Sequence, residues 1–382
     1  MRKFLLSNVG MVMSLCSLLF ISLLLQGCGG KKSTCLDCLH DIEVPLLTSE
    51  NSEYPVLSSM FSSIDTVYLE NKSPESSILS LDEVFVVGDT IIIRSASTLF
   101  FFDKKGRFIR RFNRQGKGYG NYSVIDRFDI LPDKDELYIL DGHSSKVFVY
   151  DTKGKFKRQV VIDDFVTDFA VMPDGDLLFT NPMRHSGGKA RRGLWRTDAD
   201  GNFIKQLVEY DPEFAHVSIN NPYLHHIGNG VIGFMGVEDN DKFYHYAGDT
   251  ISSTCRMTTD IVIPNELKRS DKVFVNPEKE YTKCGYLETN RFLYFVATNY
   301  GANLVMTLVD KSNWNRYLMY VYTTEFRENV ENIEPFPFFV GCYDGKFVGF
   351  YDSGMILDDE HYRKMFPNIT AESNPVLIIY NE

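Results

Sequence analysis

The chain has 382 residues, 44% of them hydrophobic and 14% aromatic, enough apolar surface for an extensive core. Its formal charge of −11 excludes the basic footprint on which general nucleic-acid binding depends. A polypeptide of this length outgrows a single simple core unless its architecture is modular.

Arg2 and Lys3 precede an apolar run from Val9 to Leu25, followed by Gln26, Gly27 and Cys28. A short basic start, an apolar stretch and small residues at the cleavage point mark a secretory signal. A cysteine directly after Leu-Gln-Gly resembles the bacterial lipobox, in which that cysteine becomes the acylated first residue. Residues 1–27 are therefore expected to be removed, and Cys28 to carry a lipid that reaches the membrane. The competing reading, an uncleaved anchor, needs about 20 apolar residues, which this run barely supplies. Gly29, Gly30, Lys31, Lys32 and Ser33 then open a polar stretch, and residues 28–56 are expected to form a flexible tether. Within it, Cys35, Cys38 and His40 are spaced like half a metal site or a redox pair. No second ligand pair lies nearby, so a local disulfide or reduced thiols is the better reading, and no cofactor or metal is expected. Cys255, Cys284 and Cys342 make the remaining cysteines odd in number, so one thiol stays reduced or pairs between molecules.

From residue 57 onward the sequence repeats. Phe100–Phe108 reads as an aromatic run, an Asp-x-x-Gly turn at Asp103 to Gly106, and a second run opening on Phe. The pattern returns at Phe148–Phe156 and, more loosely, at Trp195–Phe203. The carboxylate is suited to capping local backbone donors and the glycine to a positive φ, so each unit predicts a hairpin. A second kind of hairpin precedes these, with turns at Gly88-Asp89, Asp133-Lys134-Asp135, Asp174-Gly175, Asn229-Gly230, Thr289-Asn290 and Asp344-Gly345. Six four-stranded units at a period of roughly 45 residues are the sequence sign of a β-propeller.

Blade two reads most clearly, with strands expected at about 126–131, 136–140, 146–150 and 155–162. Blades four and five are more degenerate, with third-strand regions at Tyr244 to Ile251 and Val305 to Asp310. Blade six has three strands of its own, near 337–342, 346–351 and 375–380. Its missing fourth is supplied by Ile64 to Leu69, because a ring is left with raw edges unless its ends pair. Helical spacing is confined to Asp358–Phe366, so the fold class is an all-β, six-bladed propeller over 57–382, closed by an N-terminal strand.

These residues resemble a known family. Ile64 to Glu70, the Phe102–Phe108 hairpin, Arg114 to Tyr122, Val171 to Gly175 and Asn374 to Tyr380 are similar to six-bladed propeller lipoproteins of Gram-negative gut anaerobes, NHL-like in design. The resemblance spans nearly the whole mature chain and is best in its first half. Asn121 departs from it, standing where relatives carry an acidic residue. It implies a fold and an outer-membrane or periplasmic location; some members sit near glycan-uptake machinery, which implies a context of nutrient handling.

Candidate sites follow from charge and position. The stretch Gly116-x-Gly118-x-Gly120 lacks the strand-then-helix setting of a phosphate loop and is expected to link blades one and two. The loop Asn181–Arg192 carries Arg184, His185, Lys189, Arg191 and Arg192, a cationic cluster in an acidic chain that is suited to clamping a carboxylate, sulfate or phosphate. The plainer reading is a solvated charge run. Tyr223, His225, His226, Asn299 and Tyr300 are expected near the same face, although adjacent histidines on a strand point to opposite sides. Asp126 and Asp168 open inner strands and are candidates for the channel wall.

No nucleophile-and-base set is recognisable. Glu83, Asn181, Asn299 and Asp352 can be fitted to a divalent-cation hydrolase or lyase only by analogy of fold, which does not carry function. Asp65-Thr66-Val67, Asp89-Thr90-Ile91 and Asp249-Thr250-Ile251 resemble an O-glycosylation sequon. The functional expectation is a non-catalytic envelope protein whose partner is an anionic glycan or another envelope protein. The absence of acidic residues after Cys28 favours a periplasm-facing position.

Overall fold

The computed structural model describes residues 40–43, 57–181, 191–209, 224–235, 242–258, 282–299, 303–323, 339–343 and 345–382. Cys28, Cys35 and Cys38 lie outside the described residues, as do Arg184, His185, Lys189, Tyr223 and Tyr300.

The first described strand, β1 (His40–Glu43), is followed by a single helical turn, α1 (Leu57–Met60), and by β2 (Ser63–Tyr68). Four strands then build blade one: β3 (Glu83–Val87), β4 (Thr90–Ser95), β5 (Thr98–Asp103) and β6 (Phe108–Phe112). Blade two is β7 (Arg127–Leu131), β8 (Glu136–Asp141), β9 (Lys146–Tyr150) and β10 (Phe156–Val161), within a residue or two of the spans the sequence predicts. Blade three is β11 (Asp168–Val171), β12 (Leu177–Asn181), β13 (Gly193–Thr197) and β14 (Phe203–Val208). Blade four contains β15 (Leu224–Gly228), β16 (Val231–Met235), β17 (Lys242–Ala247) and β18 (Thr250–Thr258). Its third strand ends at Ala247, earlier than the apolar pattern predicts, because Asp249 adopts a left-handed φ of 68° and turns the chain. Blade five is β19 (Thr282–Glu288), β20 (Phe292–Asn299), β21 (Asn303–Asp310) and β22 (Asn315–Thr323).

Blade six combines β23 (Phe339–Tyr343), β24 (Lys346–Tyr351) and β25 (Val376–Asn381) with β2 as its outer strand. The pairing is antiparallel and runs from Ser63 with Asn381 to Tyr68 with Val376, so the ring is latched as the strand count requires. Two short helices, α2 (Ser353–Asp358) and α3 (Glu360–Met365), fill the insertion before β25. Among the described residues of the segment expected to be a tether, 28–56, β1 pairs in parallel with β18 and adds a fifth strand to blade four.

The repeated turn shows why its sequence recurs. Asp103 Oδ1 accepts from the N–H groups of Lys105 and Arg107 at 2.9 and 3.0 Å. Asp151 and Asp198 make the same pair of bonds in blades two and three. At Gly106 the φ is 79°, and a Cβ there would lie 2.1 Å from the Tyr68 carbonyl oxygen, so no other residue fits.

The core lies between neighbouring blades. Phe85 meets Phe128 with ring centres 4.7 Å apart, Phe112 meets Tyr150 at 4.9 Å, and both pairs join blade one to blade two. Leu377, Val348, Ile91 and Phe102 join blade six to blade one in the same way. Alternation along each strand thus serves two interfaces, one on each face of a blade.

Candidate functional site

The inner strands β3, β7, β11, β15, β19 and β23 surround the axis, and the six run in one direction. Glu83, Arg127 and Asp168 are the first residues of the inner strands of blades one, two and three, so they meet at one level near the loop face. Arg127 Nη1 lies 2.8 Å from Glu83 Oε1, and Arg127 Nε donates to Asp168 Oδ1 at 2.9 Å. Arg94 completes the row, 3.0 Å from Glu83 Oε2. Asp168 is fully buried; its carboxylate also accepts from the N–H of Leu224 in blade four at 3.1 Å. Burial alone would pull the Arg127 guanidinium down, but Asp168 and Glu83 carry it above its ordinary value.

One level deeper, His226 reaches from blade four to Asp129 in blade two, Nε2 to Oδ2 at 2.8 Å. Asp129 also accepts from Val171 N–H and Ile130 N–H, both at 2.7 Å. Burial works against the charged His226, yet Asp129 raises its pKa above 6.5. Tyr343 from blade six stands 5.6 Å from His226 and 5.3 Å from Phe85, ring centre to ring centre, so aromatic rings line this level of the axis. What remains is a cavity of about 30 Å³, room for roughly two water molecules.

A second buried cluster joins blades four and five. Glu288 is met by His245 Nε2 at 2.9 Å and by Tyr286 and Lys311. Burial opposes its charge, but His245 and Lys311 hold its carboxyl down at about 2. His225, 5% exposed, packs edge-on against Tyr286 with centroids 4.5 Å apart. Among the described residues neither of its ring nitrogens has a hydrogen-bond partner, and burial drops its pKa to about 3. The Cys342 thiol, pushed up by burial, donates to the Glu288 carbonyl at 3.0 Å.

The comparisons with known proteins agree with this architecture. The family model described as a domain of unknown function, DUF4934, matches residues 42–381. The chain belongs to the DUF4934 family. Among solved structures, this DUF4934 chain is similar to a Bacteroides fragilis protein inferred to be exported, with a TM-score of 0.71 and 14% identity over 89% of this chain and 98% of that one. A DUF4221-family member from Bacteroides vulgatus gives a TM-score of 0.50 and 9% identity, covering 84% of this chain and 96% of that one. At these identities the likeness is one of fold. No curated protein matches the chain.

The sequence-predicted residues of this DUF4934 chain fall into three groups. Asp168 lines the axis as expected, whereas Asp126 precedes β7 and accepts from Gly142 N–H at 2.7 Å, a loop-capping role. Of the two histidines expected near that face, His226 crosses the axis, because β15 alternates and His225 faces Tyr286. Arg191 is held internally: its Nε is 3.0 Å from Asp164 Oδ2, and its guanidinium lies 3.9 Å above the Phe203 ring. Arg192 is partly buried at the end of the same loop, where its carbonyl accepts from Gln206 at 2.8 Å. Asn299 ends β20 opposite Asn303.

The four residues of the cation alternative have separate engagements where side chains are described. Glu83 is in the axial ion row, Asn181 donates to the Arg191 carbonyl at 2.9 Å, and Asp352 caps α2 by accepting from Met355 N–H at 2.7 Å. Among the described residues no three His, Cys, Asp or Glu side chains converge as a metal ion requires. The glycine-rich stretch links β6 to β7, with the Asn121 amide seated over Gly116 and Gly118. Sequence reading missed Arg94, Arg127 and Asp129, and it singled out His226 without its partner. The available signal was that Glu83, Arg127 and Asp168 occupy the same position in three successive blades.

Proposed function

We propose that this DUF4934 protein is a lipid-anchored propeller of the cell envelope that binds a ligand or partner on its loop face and carries out no chemistry. The observation that supports this most is the internal pairing at the axis: among the described residues its ionisable groups are tied to one another, and the cavity they line is about 30 Å³. A general base needs a free lone pair within reach of a substrate proton, and the His226–Asp129 pair is engaged across the channel. Binding is thereby directed to the loops.

The anchor is Cys28, the tether the polar stretch behind it, and the position the periplasmic side of the outer membrane. The ligand is anionic, a glycan or an acidic patch on another envelope protein, with Arg184, His185, Lys189, Arg191 and Arg192 as its cationic clamp and Tyr223, Asn299 and Tyr300 beside it. The design is NHL-like, and the setting is nutrient handling.

Two measurements test the reading. Cys28→Ser is expected to move the protein from the membrane fraction to the soluble one. Neutralising Arg184, Arg191 and Arg192 together is expected to abolish capture of the acidic partner in a pull-down with the anchor intact. Capture that survives this triple change removes the basic loop from the proposal.

A further inference from the structure

A second concavity opens on the loop face, on blade one, with a volume of about 740 Å³. This is within the range of small-molecule sites, roughly 300–1,000 Å³. One wall is the link from β2 to β3, the other is the turn between β4 and β5 around Ala96, and Phe100 and Arg111 stand at its base.

The first wall is fixed by the last blade. Asn374, 3% exposed, donates to the carbonyls of Glu70 and Ser76 at 2.9 and 2.7 Å and accepts from Ile78 N–H at 2.8 Å. Ser76 Oγ accepts from the N–H groups of Lys72 and Ser73, both at 3.2 Å, which folds the wall on itself. The opposite wall is tied as well: Ala96 takes a left-handed φ of 50° while its N–H donates to Asp82 at 2.7 Å. Such walls lose little freedom when a ligand arrives.

Two groups are left unused on this rigid frame. Leu79 is 95% exposed although both neighbours are held, Ile78 by burial and the Asn374 bond, Ser80 by its N–H bond to Ser95 Oγ at 3.2 Å. An apolar side chain kept in water on an ordered segment at a cavity rim marks a contact surface. Arg111 is exposed at the base, opposite Phe100 in the β5–β6 ladder, and among the described residues it makes no ion pair. Lys72, the other cation here, is already paired with Glu70.

We propose that this cavity binds a short acidic saccharide, with its carboxylate on Arg111. A guanidinium offers paired donors to a carboxylate. The hydroxyls of Ser73, Ser77 and Thr98 match sugar hydroxyls, and Leu79 covers the C–H face of a pyranose ring. Phe100 is buried and the described lining residues include no other aromatic ring, so among them no open aromatic plane is presented to a nucleobase. The assignment rests on the binding reading above and replaces its blade-three clamp: the acidic ligand is placed on blade one, where the described residues leave the cation without an ion pair, whereas Arg191 on blade three is held by Asp164.

The test is isothermal titration of the full mature chain with trigalacturonate and with neutral galactotriose. Trigalacturonate is expected to bind at least ten times tighter than the neutral trimer. Arg111→Ala is expected to weaken it by about 10- to 100-fold, with Arg111→Lys recovering part of the loss. Leu79→Ser, at a side chain in full solvent, is expected to weaken it several-fold without disturbing the fold. Lys205→Ala, on blade three and paired with Asp249, is expected to leave binding unchanged. Equal affinity of the two trimers, or an Arg111→Ala protein that binds as the parent does, overturns the assignment. If the triple change of Arg184, Arg191 and Arg192 abolishes binding while Arg111→Ala does not, the site is on blade three; the blade-one assignment falls and the binding reading stands.

Discussion

At the axis, the buried carboxylates of Glu83 and Asp168 are neutralised by Arg127 and Arg94 across three blades. On blade one, Arg111 stands in solvent between two walls that are as firmly held but leave its charge unmatched. Both regions are polar, and both are built where inner loops meet. The difference lies in how the charge is satisfied. A buried ion must find its partner within the fold or lose several kcal/mol, so axial charge is structural. An exposed ion on a rigid frame loses little by staying unpaired, and its partner can come from outside.

The contrast can be broken most severely at Arg127. Arg127→Met would strand the buried Asp168 carboxylate and leave Glu83 only Arg94, and chemical denaturation is expected to show a loss of about 3–5 kcal/mol. A loss below about 1 kcal/mol would mean that the axial row is dispensable.

The next largest effect is a pH slope. His225 is neutral in the folded protein down to about pH 3, whereas the unfolded chain takes up that proton near its ordinary value of 6.5. The unfolded state therefore binds more protons between these values, and stability falls as pH falls through that window. His225→Phe, which keeps an aromatic ring against Tyr286, is expected to flatten the slope by roughly 1 kcal/mol per pH unit. Parallel stability curves for the two proteins would refute the role given to His225.

Smaller effects sharpen the comparison at the loop face. Asp352→Ala removes the cap of α2 and is expected to cost about 1 kcal/mol in thermal unfolding. Arg111→Ala is expected to change stability by less than about 0.5 kcal/mol. A larger loss there would show that Arg111 belongs to the fold and would erase its difference from Arg127.

Much of this architecture was legible in the chain. The Asp103–Gly106, Asp151–Gly154 and Asp198–Gly201 turns announced themselves because a carboxylate that caps two N–H groups and a glycine at positive φ leave little choice of residue. The latch by β2 followed from counting strands in the last blade. The β1 strand was hidden in a polar stretch, since its pairing with β18 depends on an edge that only the finished blade presents. The candidate site was much less legible. Arg127 reads as an ordinary strand polar, His226 stands out in the sequence without its distant partner Asp129, and the Arg184–Arg192 cluster draws attention by charge density alone.

By itself the sequence determined the class of fold, the number of blades and the points where each hairpin turns, because these depend on local backbone chemistry and on alternation within a few residues. The tertiary structure alone decided which charges face one another. Arg127 and Asp168 are 41 positions apart, and His226 and Asp129 are 97 apart. Closing the ring brings such residues to one axis, and burial there turns separate polar side chains into obligatory pairs. The same closure sets Asn374 against the link that carries Leu79, and so fixes the wall beside Arg111.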